Sequence, residues 1–399
     1  MQTPVVKAAD SEDVRRVNDS WNSIRRLRLL CIGNGGIIYR DARFWTHRCI
    51  GQFLGELGGM VTEIWFCAWT DQSDDPLAQT AVSDLQGVRA LGLPSFHGSP
   101  LRKMVNGLRS FAMLIMQVWQ ADFVYLYWPG RLSSIAARLC RALKKPYGIY
   151  FRGEQIPFDS TFATSFEKAH FTLTTGDLLR TAAEEHCKDV ENVTPMTSVR
   201  PEHIVRARPP KQEGPWNLLY VGRMEERKGV QDLLAAMTHL EEWNLECSLT
   251  LVGHCYDPSG LKGQLSPSIA RRIHWIDAVA EFESLIPFYC AADVFVLPSH
   301  DEGFPRVLYE AMTFGIPILT TFVGSIPSLM KDRSNCLRIE VSDPRDIAEK
   351  IRQLLLNTEL QATITGSCHQ CITDLMKTWQ RSHSIQIAER LRDLVSRVS

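Results

Sequence analysis

Short continuous apolar runs alternate along this chain with longer stretches whose apolar residues return every three or four positions. Residues 27–32, 61–68, 123–128, 147–151 and 172–175 read as strands, because a run of four to eight apolar residues fits a strand buried on both faces of a parallel sheet. Between them, 44–57, 101–119, 131–143 and 177–187 carry helical spacing. The alternation resumes with strands starting at Leu218, Leu249, His274 and Val294 and helices at Val230, Glu283 and Pro305. Strands and helices in such alternation predict parallel sheets covered on both faces, so the expected fold class is α/β with two doubly wound, Rossmann-like domains.

Length supports that division, since 399 residues exceed one ordinary core. The boundaries expected are a polar N-terminal tail over 1–25, a first domain over 26–205, a Pro- and charge-rich linker over 206–215, a second domain over 216–371, and a helical segment over 372–399. The tail carries no secretory signal pattern, and the longest apolar run, 111–119, is broken by Gln117 and too short to span a bilayer. Eleven cysteines, odd in number and set mostly in apolar runs such as Trp65-Phe-Cys67, indicate a reducing compartment. A cytoplasmic protein, soluble or peripheral at the inner face of a membrane, is the expectation. Cys368-His-Gln-Cys371 has no second pair and reads as two positions on a helix rather than as a metal or redox site.

Charge narrows the partners. The formal net charge of −1 argues against nucleic acid. Residues 101–152 nevertheless carry nine Lys and Arg against one acid, Asp122, a local excess of +8. Such an excess suits an anionic membrane surface or a phosphate-bearing acceptor, or is the ordinary basic solvent face of α/β helices.

The densest chemistry lies in 294–320, read as strand, turn, short helix and strand. Pro305 suits the first position of the helix, and Gly315 stops it. A helix N-terminus at the carboxyl end of a parallel sheet presents free N–H groups, and Gly303 with Phe304 and Pro305 lets a phosphate approach the backbone. Glu302 and Glu310 frame this site, ~12 Å apart if the whole span rose as a helix, which suits hydroxyls at both ends of a sugar nucleotide. Taken alone, the two acids read more readily as a solvated loop acid and a surface helix residue.

Glu302-Gly-Phe-Pro-Arg-Val-Leu-Tyr-Glu310, followed by Gly315-Ile-Pro and Val323-Gly324, resembles the E-x7-E signature of retaining glycosyltransferases of family 4, which have the GT-B fold. Gly222-Arg223-Met-Glu-Glu-Arg-Lys228-Gly229 is similar to that family's Gly-Arg-Leu-x-x-x-Lys-Gly loop, and the likeness runs in order from Leu218 to about Leu356. It implies two domains facing a cleft, the first (26–205) on the acceptor side and the second (216–371) binding the nucleotide sugar, with the C-terminal helix crossing back onto the first. It also implies that Glu310 holds ribose hydroxyls and Glu302 the donor-sugar hydroxyls. Sugar transfer leaves a diphosphate with extra negative charge, and Arg223 and Lys228 are the cations placed to meet it without a metal or cofactor.

In the first domain, Gly33-Asn-Gly35-Gly36 puts bare backbone at a strand end, where Gly35 and Gly36 suit a phosphate or an acceptor, or are simply a tight turn. It is not the dinucleotide fingerprint, because the third glycine would fall at Ile38. Arg152 stands where the family often has a histidine that contacts the donor sugar, and Trp128 stands at the preceding strand end as an acceptor platform or a core residue. The implied activity is retaining transfer of a hexose-type sugar from a nucleotide-diphosphate sugar to a carbohydrate or lipid-linked acceptor, in polysaccharide or glycoconjugate biosynthesis. A sugar-nucleotide 2-epimerase of the same fold and a non-catalytic scaffold that keeps the sugar-nucleotide site are the alternatives left open.

Overall fold

The computed structural model describes residues 27–33, 37–61, 63–71, 78–94, 99–152, 160–195, 197–205, 208–255, 257–279, 281–302, 305–379 and 381–398. The expected tail over 1–25, Gly35, Gly36, Gly303, Phe304 and the first two linker residues lie outside them. Strands from two regions of the chain form two separate sheets.

The first sheet contains β1 (Arg28–Ile32), β2 (Ile37–Arg40), β3 (Arg43–His47), β4 (Glu63–Asp71), β5 (Ala78–Ala81), β6 (Val88–Leu93), β7 (Phe123–Trp128), β8 (Tyr147–Phe151), β9 (Thr172–Thr174) and β10 (Val190–Asn192). Its parallel part runs β10-β9-β8-β7-β1-β4, with β6 beside β4. All six residues of β7 are buried, as a central strand covered on both faces requires. At the carboxyl end of β4 a small meander of β2, β3 and β5 is added, with β2 antiparallel to β3 and β3 antiparallel to β5.

That meander corrects the expected helix over 44–57, because residues 43–47 are strand and the helix is Arg48–Gly58. The β2–β3 hairpin closes on Asp41 and Ala42 with φ of 51° and 58°. This is the paired left-handed geometry of a two-residue hairpin, made here without the Gly or Asn that would announce it. β6 also escaped the pattern, because Val-Arg-Ala-Leu-Gly-Leu neither alternates cleanly nor forms an apolar run.

The second sheet contains β11 (Trp216–Val221), β12 (Cys247–Val252), β13 (Ile273–Ile276), β14 (Val294–Leu297), β15 (Ile318–Thr320) and β16 (Leu337–Arg338). Their order, β13-β12-β11-β14-β15-β16, is parallel throughout. Connections leave β11 to one side and β14 to the other, and in an open parallel sheet the crevice outside such a switch point is where ligands bind. The linker is tied to this domain. Arg208 donates to the carbonyls of Tyr289, Cys290 and Ala292, and Lys211 pairs with Asp293 at 2.8 Å.

The segment 372–399 does not return as one piece. Helix Thr358–Thr378 still packs with the second domain, where Cys368, Ile372 and Met376 join its core. The Cys368 thiol donates to the carbonyl of Asn335 at 2.9 Å. The chain crosses over only beyond Trp379, and helix His383–Val398 buries Ile387, Ala388 and Leu391 against Phe53, Tyr125 and Tyr150 of the first domain. Arg390 fastens it to Asp189 at 2.8 Å and Glu191 at 2.7 Å. The domains also meet directly, Arg48 pairing with Glu283 at 3.1 Å.

Candidate active site

The loop leaving β11 and the loop leaving β14 are held together by backbone that only glycine allows. Residues Glu226–Lys228 form a tight turn ending at Gly229, whose φ is 64°. A Cβ on Gly229 would lie 2.1 Å from the carbonyl oxygen of Pro298, so both the left-handed conformation and the close approach exclude other residues. The N–H of His300 then donates to the carbonyl of Arg227 at 2.9 Å. This register delivers the Lys228 side chain to Glu302.

Lys228 Nζ lies 2.8 Å from Glu302 Oε1, with the two side chains only 11% and 9% exposed. Lys228 also donates to the carbonyl of Asp301 at 3.3 Å, and the Ser299 hydroxyl donates to Glu302 Oε1 at 2.7 Å. Behind them Thr321 donates to the carbonyl of Ser299 at 2.6 Å. Gly324, with φ of 54°, approaches so closely that a Cβ there would stand 1.6 Å from the carbonyl oxygen of Glu302. The Glu302 backbone is therefore held from two sides. Lys228 and Glu302, expected to meet different parts of a ligand, are also each other's counter-ion, which is what two charges this deeply buried require.

Arg223 lies at the rim, its carbonyl accepting from the Tyr220 hydroxyl at 2.7 Å. Its guanidinium shares Glu225 with Arg227, at 3.3 and 2.9 Å. An exposed pair of this kind is weak and exchanges readily for another anion.

Helix Arg306–Thr313 begins one residue later than expected, Pro305 being its N-cap. Gly315, with φ of 62°, ends it in the left-handed conformation. Glu310 accepts a hydrogen bond from the Tyr289 hydroxyl at 2.6 Å. Burial pushes its carboxyl above the usual range, while the Tyr289 hydrogen bond and the Arg306 charge pull the other way. Arg306 in turn reaches the Cys49 thiol of the first domain at 2.7 Å.

These groups surround one cavity of about 330 Å³, a volume suited to a small ligand. Arg223, Lys228, Glu302, Pro305 and Glu310 line it from the second domain, Arg48 and Cys49 from the first, and Val279, Phe282 and Leu285 make an apolar side. Five sequence-predicted site residues thus converge. Arg152 does not join them; its guanidinium lies 5.4 and 5.8 Å over the Tyr127 and Tyr150 rings. Trp128 is a core residue, packed edge-on against Phe166 at 5.6 Å. Tyr289, Arg306 and Cys49 were missed. Tyr289 stands 21 positions before its partner Glu310, and Cys49 belongs to the other domain, so no local spacing marks either.

Residues 215–357 match the family model described as glycosyl transferases group 1. The chain is 30% identical over 146 residues to the D-inositol 3-phosphate glycosyltransferase of Corynebacterium diphtheriae, covering 35% of this chain and 34% of that one. It is 31% identical over 142 residues to the glycogen synthase of Mycobacterium tuberculosis, covering 36% and 34%. The matches thus span about a third of the length of these relatives. Over 93% of its length the fold superposes on all of the Anabaena protein HepE, whose structure holds UDP and glucose, with a TM-score of 0.66 and 14% identity. Two Rossmann-like domains meeting across a cleft make the architecture GT-B.

Proposed function

We propose that this chain, a GT-B protein carrying a group 1 glycosyltransferase domain over residues 215–357, transfers a hexose-type sugar from a nucleotide-diphosphate donor to a hydroxyl of a carbohydrate or lipid-linked acceptor, with retention. The observation that carries this reading is the buried Lys228–Glu302 pair at the switch point, in one cavity with Arg223 and Glu310.

A donor diphosphate entering between the β11 and β14 loops meets Lys228 and Arg223, and draws Arg223 away from Glu225. The anomeric C–O bond breaks, its electron pair leaves with the diphosphate, and the two cations stabilise that charge in a site shielded from water. The acceptor oxygen bonds to the anomeric carbon from the face the diphosphate leaves, and its proton passes to a phosphate oxygen. Glu302, held by Ser299 and Lys228, accepts from hydroxyls of the transferred sugar. Glu310, oriented by Tyr289, accepts from the ribose, and the Val279, Phe282 and Leu285 side takes the base. Arg48 and Cys49 bring the first domain, and the acceptor with it, to the same cavity.

HepE holds UDP and glucose, which supports testing uridine diphosphate sugars first. A panel of nucleotide sugars read by melting-temperature shift and by donor hydrolysis identifies the donor, since a ligand that binds the native state raises the melting temperature. Proton NMR of the first product then reads the anomeric configuration. We expect turnover to persist in excess EDTA. A donor that binds yet is neither hydrolysed nor transferred to any hydroxyl acceptor, or a product of inverted configuration, overturns the reading.

A further inference from the structure

Helix Pro100–Gln120 is amphipathic the wrong way round for a helix that faces water. Its sheet side buries Ser110, Leu114, Gln117 and Val118. Its outer side carries Leu101 at 67% exposure, Met104 at 58%, Leu108 at 67%, Phe111 at 47%, Met116 at 52% and Trp119 at 63%. At 3.6 residues per turn these six positions fall on one face. Single exposed apolar residues are ordinary, but a continuous face of large ones on a folded domain marks a binding surface.

Charge says what covers it. Arg102, Lys103 and Arg109 are exposed on the same helix, and the next helix, Arg131–Ala142, adds exposed Arg131 and Arg138. The one acid of the stretch, Asp122, accepts from the backbone N–H of Arg28 at 2.8 Å. An apolar face flanked by basic groups without acids matches the interface of an anionic bilayer, where apolar side chains enter the headgroup boundary and cations meet lipid phosphates. No described helix is long and apolar enough to cross a membrane, so the contact is one of lying on the surface. The helix follows β6, which runs parallel to β4 and β1, so its first turn stands on the side where those strands end and the cleft opens.

We propose that the outer face of helix Pro100–Gln120 docks the first domain onto an anionic lipid bilayer, presenting the cleft to the membrane surface. The proposal stands apart from the transfer chemistry and is tested without it.

The probe is a vesicle of phosphatidylcholine containing one third phosphatidylglycerol, with phosphatidylcholine alone as control, and the full chain is floated through a density gradient. Wild-type protein is expected to float with the anionic vesicles, less so as salt rises, and to stay below with the neutral ones. Leu108→Glu and Trp119→Glu change exposed positions that contribute nothing to the core, and each should reduce flotation on the order of tenfold with an unchanged melting temperature. Arg102→Glu with Arg109→Glu should remove the salt dependence along with most of the binding. Absence of flotation at low salt, or variants that float like wild type, overturns the proposal. A concentration-dependent dimer in light scattering that Leu108→Glu dissolves, without flotation, assigns the face to a second copy of the chain. The nucleotide-sugar melting shift, read on the same variants, stays intact in every case and so keeps this test separate from the proposed activity.

Discussion

Removing one partner of a buried ion pair leaves a charge with nowhere to go, and the Lys228–Glu302 pair makes this measurable. Both side chains are about nine-tenths buried and 2.8 Å apart, and breaking such a pair by truncating one partner costs about 3–5 kcal/mol. Lys228→Met sits at the upper part of that range, because Glu302 keeps only the Ser299 hydroxyl. Glu302→Gln sits lower, at about 2–3 kcal/mol, because the amide oxygen and the Asp301 carbonyl still accept from Lys228. Lys228→Met with Glu302→Gln leaves no unpaired charge and should be more stable than the sum of the single changes implies, by about 2–3 kcal/mol. Urea unfolding followed by fluorescence reads this, since about 3 kcal/mol against an m of about 2–3 kcal/mol/M moves a midpoint by about 1 M. Donor affinity is the second readout. The double variant regains stability but not the cation that meets the diphosphate, so donor binding should remain about 10- to 100-fold weaker. Single effects that add within about 0.5 kcal/mol would show that the two charges do not depend on each other, and the pair would lose its place as the core of the site.

Four further outcomes are expected. Glu310→Gln should mainly raise the donor Kd and Glu302→Gln mainly lower kcat, each about 10- to 100-fold. Tyr289→Phe removes a bond that holds the Glu310 carboxyl down against burial, so donor binding in calorimetry, which needs the carboxylate, should fail at a higher pH than in wild type. His383, enclosed by Phe53, Tyr125 and Tyr150, has its pKa pushed down by burial, and further by the Arg152 charge, from 6.5 to about 3. The unfolded chain therefore binds the extra proton between those values, and stability present above pH 6.5 is lost as pH falls towards 3, by up to about 1.4 kcal/mol per pH unit; His383→Gln should flatten that part of the denaturation profile. Gly324→Ala forces a Cβ into the Glu302 carbonyl, 1.6 Å away, and should cut turnover about 100-fold in a steady-state assay while the rest of the fold melts normally.

Central strands were legible because burial on both faces writes an uninterrupted apolar run, and β7, β8 and β14 begin and end where those runs do. The β2–β3–β5 meander was not, because its turn uses Asp41 and Ala42 in a conformation usually advertised by Gly or Asn, and β3 runs without a break into helix Arg48–Gly58. Packing of the meander overrides what those residues prefer locally. The C-terminal segment was readable as helical, its return to the first domain was implied only by the resemblance, and the point where it crosses was not readable at all. Cys368, Ile372 and Met376 differ in no local way from Ile387 and Leu391, and only the sheet that each meets tells them apart.

The site divides along the same line. Arg223, Lys228, Glu302 and Glu310 sit in two short stretches of glycines, a proline and acids, and it was the resemblance of those stretches to a known family's motifs, rather than their spacing alone, that placed the four together before any coordinates. What orients them was not. Tyr289 comes from a different helix, Cys49 from the other domain, and Ser299 and Gly324 act on Glu302 through contacts whose importance appears only once β14 and β15 are neighbours. Residues that touch a ligand are constrained by the ligand's shape and recur at fixed spacing. Residues that hold them in place are constrained only by distance in space, and any segment that the topology brings near can supply them. Cys49 shows the consequence. It reaches Arg306 only because helix Arg48–Gly58 starts at the end of β3, inside the part of the first domain whose pattern was misread. A misreading of one strand of the first domain therefore hid a first-domain contact of the candidate site.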